Sequence, residues 1–400
     1  MEKQKNVPEL RFPEFEGEWE RKKFGEIATN RSGKYNPEKE INSIKCIELE
    51  HLASETAQLL GYVDGKNSGS IKNKFDSGDV LFGKLRPYLK KYLLAPFEGV
   101  CSSEIWVLKG TKILNEFLFR IVQTNNFIDL ANQSSGSKMP RADWSVVENG
   151  LFSFPTLPEQ SKIATFLTAV DEKLQALKKK KSLLEVYKKG VMQKLFSQEL
   201  RFKNEDGKEF GDWEEKKLGE VCDRITTKNK ENNTNVLTIS AQIGLISQLE
   251  FFNKSVSAKN VTGYYLLHNN DFAYNKSYSN GYPMGAIKRL KRYVKGVVST
   301  LYICFRFNDS INLDFMEQYF EMGLQNVEIE KVAQEGARNH GLLNIGVSDF
   351  LNIGLILPSH SEQTLIANFL SSIDEKINHT QTEITKTEVW KKGLLQKMFV

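Results

Sequence analysis

The spacing of apolar positions predicts two long helices in this chain. In residues 159–196, alternating steps of four and three residues place ten positions on one seam, and eight of the ten are apolar. The same steps through residues 362–399 give seven apolar positions of ten. Such heptad spacing is typical of a helix that packs along another helix. We therefore predict that the two segments, each about 57 Å long as a helix, pack against each other across a pseudo-twofold axis.

The predicted seam consists mainly of branched aliphatic residues. Its apolar members in the first helix are Ile163, Leu167, Val170, Leu174, Leu177, Leu184, Val191 and Leu195. Those in the second helix are Ile366, Leu370, Ile373, Ile377, Ile384, Leu394 and Met398. Lys181 and Lys188 also fall on the first seam, where we expect them to extend toward water or to fix the register of the pair.

The two helices are copies of one sequence. EQSKIATFLTAVDEKL (159–174) returns as EQTLIANFLSSIDEKI (362–377), identical at nine of sixteen positions and offset by 203 residues. KKGVMQKLF (188–196) and KKGLLQKMF (391–399) match at the same offset, so the 38-residue segment repeats without a gap. ELRF (9–12 and 199–202) and W-E-x-KK-x-GE (from 19 and from 213) repeat as well. The sequence therefore predicts an internal duplication in which each copy is a globule followed by a helix.

Shorter apolar runs predict that each globule mixes strands and helices. GDVLFGK (78–84) corresponds to NDFAYNK (270–276), and GVCSSEIWVLK (99–109) to GVVSTLYICFR (296–306); both are rich in β-formers. Helical stretches follow around 115–132 and 312–334, and then glycine loops with positive charge, SSGSKMPR (134–141) and EGARNHG (335–341). The predicted fold class is α+β, with two mixed α/β globules separated by two long helices that form a coiled coil.

Composition narrows the class of protein. The 400 residues are 40% hydrophobic and 26% charged, and no apolar run approaches the length of a membrane span. The amino-terminal MEKQKNVPELRFPEF carries charges and prolines in place of an apolar signal, so we expect a cytoplasmic protein. The four cysteines lie far apart and predict buried free thiols. A net charge of +5 is compatible with a polyanionic partner and does not prove one.

Catalytic motifs are missing from the sequence. GDVLFGKL fits the start of a phosphate-binding loop, but Leu85 stands where Ser or Thr should hold magnesium, and Val80–Phe82 read as a buried strand. The five histidines form no metal-ligand spacing, and no nucleophile elbow or amino-methyltransferase tetrapeptide occurs. We therefore predict a chain that is not an enzyme by itself, with no catalytic residues, no metal and no cofactor of its own.

The paired EQ-x-x-IA-x-FL-x-x-x-DEK helices and the duplicated W-E-x-KK-x-GE segment resemble the specificity subunit of type I restriction-modification enzymes. The resemblance covers the whole chain. It implies target recognition domains at 1–157 and 199–357, a central spacer helix at 158–198 and a carboxy-terminal spacer helix at 358–400, with the two helices antiparallel. Each domain would read one half of a split DNA sequence, and the helix pair would set the unread gap.

The resemblance also implies partners. Two adenine methyltransferase subunits would dock on this subunit and direct DNA methylation, and two restriction subunits would translocate and cut DNA in the bacterial cytoplasm. S-adenosylmethionine, ATP and Mg²⁺ would belong to those partners. We expect the outer faces of the helices to dock the methyltransferase.

Candidate DNA contacts follow from side-chain chemistry, because recognition surfaces differ between members of this family. Arginine can bind guanine and asparagine can bind adenine through two hydrogen bonds, whereas lysine mostly meets phosphates. The candidates of the first globule are Lys84, Arg86, Lys90, Lys91, Lys138 and Arg141. Those of the second are Lys276, Tyr278, Tyr282, Lys288, Arg289, Lys291, Arg292, Arg338, Asn339 and His340. Arg141, Arg338 and Asn339 are the leading base readers, although a surface lysine is more often simply solvated.

Two other interpretations remain open. A single-chain restriction-modification enzyme would need several hundred more residues and the missing motifs. A coiled-coil scaffold that joins two protein-binding globules is compatible with the helices and the duplication. DNA binding that weakens steeply with salt distinguishes the recognition subunit from such a scaffold.

Overall fold

The computed structural model describes residues 6–40, 42–133, 139–254, 260–333 and 343–400. The chain divides into two compact units, one comprising Met1–Lys179 and Thr380–Val400 and the other Lys180–His379. Each unit contains one globule and a part of each long helix. Contacts thus divide each long helix between the two units, whereas the sequence repeat treats each helix as one separate element.

The elements of the first half of the chain alternate short strands with short helices before one long helix. In chain order they are β1 (Glu20–Lys23), α1 (Phe24–Ile27), β2 (Ala28–Thr29), β3 (Lys34–Tyr35), β4 (Lys45–Ile47), β5 (Val63–Asp64), β6 (Lys72–Phe75), β7 (Val80–Gly83), β8 (Tyr92–Leu94), β9 (Gly99–Cys101), β10 (Ile105–Gly110), α2 (Asn115–Ile121), α3 (Asn125–Asn132), α4 (Trp144–Val147), β11 (Leu151–Phe154) and α5 (Leu157–Phe196).

The second half has the same plan. Its elements are β12 (Glu214–Lys217), α6 (Leu218–Val221), β13 (Cys222–Arg224), β14 (Leu237–Ser240), β15 (Gly244–Ser247), α7 (Gln248–Phe252), β16 (Tyr265–His268), β17 (Phe272–Asn275), β18 (Ala286–Arg289), β19 (Lys295–Val298), β20 (Ile303–Phe307), α8 (Leu313–Glu321), α9 (Asn326–Val332), α10 (Val347–Leu351), β21 (Gly354–Leu357) and α11 (His360–Lys397).

Each globule is built on a four-stranded antiparallel sheet of the same strand order. The order is β2-β10-β7-β8 in the first and β13-β20-β17-β18 in the second. A two-stranded ribbon accompanies each sheet, β1 with β11 and β12 with β21. The prediction of two mixed α/β globules of one architecture is therefore confirmed.

The globules differ in the strands added to this common sheet. The first globule adds a five-stranded sheet, β3-β6-β9-β4-β5, in which β4 and β9 are parallel. The second adds two antiparallel pairs, β14 with β15 and β16 with β19. The additions change the surface of each globule, while the aromatic core around the common sheet contains fully buried Phe82 and Phe117 in one copy and Phe305 and Phe315 in the other.

The repeated Glu-Gln at the start of each long helix fixes that helix to its globule. The Gln160 side chain accepts from the backbone N–H of Leu114 at 2.9 Å and donates to the carbonyl of Pro155 at 2.8 Å. Gln363 makes the equivalent pair of bonds to Asn312 and Pro358. Both side chains are almost fully buried. The repeated glutamine therefore links three elements in each copy: the end of a strand, the start of a short helix and the long helix itself.

Within each unit the two long helices run antiparallel. In the first unit, Asp171 of α5 pairs with Lys391 of α11 at 2.7 Å, and Lys178 pairs with Glu388 at 2.8 Å, so one sequence number rises as the other falls. In the second unit, the apolar side chains of α5 and α11 share one core.

The predicted seam is buried toward the ends of the helices. Ten of its apolar residues are buried and five are half-buried; the half-buried residues are Leu174, Leu177, Leu184, Val191 and Ile377. The seam lysine Lys188 holds both carboxylate oxygens of Asp374, at 2.6 and 2.8 Å, within the second unit. Lys391 and Asp171 are the same pair displaced by 203 residues, so the repeat preserves a polar contact inside an apolar seam.

Candidate nucleic-acid interface

In the first globule, the turn after β7 lies against the end of the glycine loop, at residues 140–142. The backbone N–H of Arg86 donates to the carbonyl of Pro140 at 2.8 Å, and that of Ala142 donates to the carbonyl of Lys84 at 2.8 Å. Leu85 and Arg141 form an antiparallel bridge between the same segments. The fold therefore brings together three residues predicted to contact DNA, Lys84, Arg86 and Arg141.

These three side chains differ in their availability. Arg86 is exposed and makes no side-chain hydrogen bond or ion pair within the described ranges. Arg141 is half exposed and its Nε donates to Glu104 at 3.0 Å. Lys84 is half-buried. Arg86 is thus the guanidinium best placed to meet an incoming ligand.

The other two described candidates of the first globule are engaged elsewhere. Lys91 Nζ donates to the carbonyl of Leu49 at 2.6 Å, which ties β8 to a neighbouring turn. Lys90 lies 3.6 Å from Glu55 and lines a cavity of about 570 Å³ in the first unit. Both lysine side chains are therefore already engaged, although Lys90 borders the same turn as Arg86.

The second globule has the corresponding joint. The backbone N–H of Leu343, which follows the second glycine loop, donates to the carbonyl of Lys276 at 3.0 Å. Tyr278 in the adjoining turn is 65% exposed. The tip of the β14–β15 hairpin reaches the same turn, since the side chain of Gln242 donates to the carbonyl of Asn280. This turn and hairpin form one exposed surface in the second globule.

Tyr282 and Lys288 lie in the same globule but point into its acidic helix α8. The Tyr282 hydroxyl donates to Glu321 at 2.5 Å, and Lys288 forms an ion pair with the same carboxylate. Burial, together with the hydrogen bond to Glu321, raises the pKa of Tyr282. Lys288 is 8% exposed. These two side chains hold the sheet to α8.

The remaining basic cluster of the second globule is already neutralised. Arg289 binds Asp314 at 2.8 Å, and its side chain is only 10% exposed. Lys291 pairs with Glu317 at 3.0 Å. Arg292 lies 3.5 Å from Glu250. The run IKRLKRY is strongly basic in sequence, but neighbouring carboxylates offset most of its positive charge.

Lys138, Arg338, Asn339 and His340 lie outside the described residues. Their predicted contacts with DNA stay predictions.

Sequence reasoning missed two kinds of exposed residue. Tyr88 and Asn280 occupy the turns that follow the matched lysines Lys84 and Lys276, and both are exposed. Tyr187 and Trp390 stand in EVYKKG and EVWKKG, at the repeat offset. The signal for the second pair was available, because a residue one position before a seam lysine lies about 100° around the helix from the seam, at its flank.

The described residues form no candidate metal site, and their thiols are buried. They contain no group of three or more His, Cys, Asp or Glu side chains that could hold a metal ion. All four cysteines are buried and free, and burial raises the pKa of Cys46 and Cys222 to about 12, so these thiols stay protonated. In the part of the chain that the structure describes, no helix is both long and apolar enough to cross a membrane.

A protein-family model described as the type I restriction modification DNA specificity domain matches the chain twice, over residues 16–186 and 211–388. The specificity subunit of the type I restriction enzyme EcoDI from Escherichia coli is 32% identical over 155 residues, which cover 38% of this chain and 34% of that protein. The MjaVIII specificity subunit from Methanocaldococcus jannaschii is 31% identical over 150 residues, or 33% and 35% of the two chains. These matches span about a third of each relative.

Solved structures share the fold across nearly the whole chain. The S subunit of a type I restriction-modification system from M. genitalium aligns with a TM-score of 0.59 at 14% identity, covering 98% of this chain and 99% of that one. The HsdS subunit from Thermoanaerobacter tengcongensis aligns with a TM-score of 0.51 at 19% identity, covering 95% of both. At such identities the comparison speaks for the fold alone.

Proposed function

The chain belongs to the family of type I restriction modification DNA specificity domains, and on that premise we propose that it is the subunit that selects the DNA target of a type I restriction-modification complex. Each globule reads one half of a bipartite sequence in double-stranded DNA. The chain supplies recognition, and chemistry on DNA belongs to its partners.

One observation supports this proposal above the others. Both globules join the turn after the matched lysine, Lys84 or Lys276, to the end of a basic glycine loop or the segment just after it. The scaffold of the joint is shared, while the exposed side chains on it differ between the copies. A duplicated frame with unlike exposed groups suits a protein that reads two different short sequences.

The long helices set the unread gap between the two halves of the target. Both copies keep the same 38-residue length and the same lysine–aspartate contact inside the seam. A fixed helix length translates into a fixed number of base pairs, as subunit geometry does in dimeric DNA-binding proteins.

The helices also dock two methyltransferase subunits through their outer apolar faces, Val186 with Tyr187 on α5 and Val389 with Trp390 on α11. All four side chains are between 45% and 67% exposed. Exposed aromatic side chains are typical anchors of protein interfaces. Because the two faces repeat at the 203-residue offset, they suit two copies of one partner. The partners supply S-adenosylmethionine-dependent adenine methylation and, with restriction subunits that use ATP and Mg²⁺, cleavage.

The proposal predicts steep salt dependence of DNA binding. The full chain, purified with its methyltransferase, is expected to bind duplex DNA and to lose roughly a thousand-fold in affinity between 50 and 200 mM salt, as phosphate contacts release counterions. Fluorescence anisotropy with a labelled duplex pool measures this. An affinity that is absent, or that does not change with salt, would favour the protein-binding scaffold instead.

A further inference from the structure

The turn that follows β7 is held in an unusual backbone conformation. Arg86 and Lys90 both adopt the left-handed region, with φ of 53° and 51°, on either side of the 3-10 turn Pro87–Leu89. Neither residue is glycine, and a residue before proline is normally extended. Such conformations persist where the surrounding structure imposes them, and they concentrate at functional sites.

The surrounding structure does impose this one. The backbone N–H of Arg86 is bound to Pro140, and that of Glu55 is bound to the carbonyl of Lys90 at 3.0 Å. Within the turn, Leu89 and Lys90 donate to the carbonyls of Arg86 and Pro87. Pro87 is buried, so the turn is anchored from both ends and from beneath.

This anchored turn exposes an arginine and a tyrosine side chain to solvent. Arg86 is exposed, and Tyr88 is 52% exposed. Neither side chain has a hydrogen-bond or ion-pair partner among the residues described here. Arg141, on the neighbouring segment, is instead paired with Glu104. Arg141 keeps its Nη–H groups, but the ion pair with Glu104 offsets its charge and holds its orientation, which favours Arg86 as the base reader.

The second globule has different residues at the same places. Counted from the matched lysines Lys84 and Lys276, the second and fourth following residues are Arg86 and Tyr88 in one copy and Tyr278 and Asn280 in the other. Tyr278 and Asn280 are also exposed. The turn after the matched lysine thus differs between the copies in its side chains and, because Arg86 is left-handed and Tyr278 is not, in its backbone, as a segment that determines sequence specificity should.

We infer that Arg86 and Tyr88 are the specificity-determining pair of the first globule, with Arg86 reading a guanine in the major groove and Tyr88 packing against the neighbouring base. The inference rests on the proposed function. It replaces Arg141 as the leading reader of this globule, because Arg141 is held by an acidic partner and Arg86 has none among the residues that the structure describes.

The test is long-read methylation sequencing with the full chain and its methyltransferase in a methylation-deficient host. Arg86→Lys keeps the charge but loses the rigid planar fork that holds two hydrogen bonds to guanine, so we expect discrimination at one base of one half-site to fall about ten- to a hundred-fold. Tyr88→Ala is expected to relax the adjacent base. The other half-site should be unchanged in both variants. Tyr62→Ala, whose tyrosine is 51% exposed, is the matched control, and Arg141→Ala tests the competing reader.

If Arg86→Lys leaves the motif unchanged, even where Arg86→Ala alters it, Arg86 is a phosphate contact at most and base reading is overturned. Relaxation by Arg141→Ala at the same base would restore Arg141 as the reader and overturn the inference. Co-purification with the methyltransferase verifies that each variant is folded. Absence of a bipartite motif with the unmodified chain would overturn the proposed function itself.

Discussion

Replacing Arg11 by alanine is expected to lower the free energy of unfolding by about 3 to 5 kcal/mol, because it leaves a buried carboxylate without its partner. Arg11 donates through Nε and Nη2 to the two oxygens of Glu159, each at 2.8 Å. The Glu159 side chain is 1% exposed, and it also accepts from the Trp19 indole at 3.3 Å. The hydrogen bond to Glu159 raises the pKa of Arg11, so the arginine remains charged.

Urea denaturation of the full chain measures the effect. Arg21→Ala is the matched control, since Arg21 is an exposed arginine in the same unit, and it should change stability by less than about 0.5 kcal/mol. The double variant Arg11→Leu with Glu159→Leu removes both charges and should cost less than the single variant. A single-variant loss below about 1 kcal/mol would show that water reaches Glu159 and that the ion pair does not hold the helix to the globule.

Replacing Tyr187 and Trp390 together by glutamate is expected to abolish methyltransferase association. Each is an exposed aromatic residue on a helix whose other outer positions are mostly charged or polar. Loss of a central aromatic anchor typically weakens an interface by about 2 to 4 kcal/mol, or roughly 30- to 1000-fold. Since the two positions belong to separate copies of the repeat, each single variant should lose one methyltransferase and the double variant should lose both.

The mass of the purified complex counts the methyltransferase copies directly. Leu183→Glu is the control, because Leu183 is 59% exposed on the same helix while its counterpart at the repeat offset is Lys386, so a repeated interface cannot depend on leucine there. Glutamate favours helix, so Tyr187→Glu and Leu183→Glu should unfold like the unmodified chain, whereas Trp390→Glu also loses the edge-to-face contact with Phe166 and should unfold at a slightly lower temperature. Full association of the double variant would place the docking surface elsewhere.

The parts of the fold that depend on local order could be predicted from the sequence. A heptad stripe such as Ile163, Leu167 and Val170 reports its own period, because residues three and four apart share one face of a helix. The duplicated Glu159-Gln160 marked the helix start, although its bonds to Arg11 and Leu114 appear only in the fold. Repetition indicated that these residues matter, and tertiary structure supplied the reason.

The candidate interface was less predictable, because charge in a sequence does not reveal its neutralisation. Lys288, Arg289 and Lys291 form the densest basic run of the second globule, yet α8 places Asp314, Glu317 and Glu321 against them. Those carboxylates lie more than twenty residues away in the chain and contact the basic side chains only after α8 packs against the sheet. Arg86, a single arginine in a short turn, meets no carboxylate in the part of the chain that the structure describes, which its sequence context could not show.

Bipartite recognition is tested most directly by long-read methylation sequencing of DNA from a methylation-deficient host that expresses this chain with its methyltransferase. If each globule reads one half of the target, methyladenine is expected in both halves of one split motif with a fixed gap, and no modification is expected when this chain is omitted. Unmodified DNA despite a stable complex, or a single continuous motif, would contradict the claim that each globule reads one half of the target.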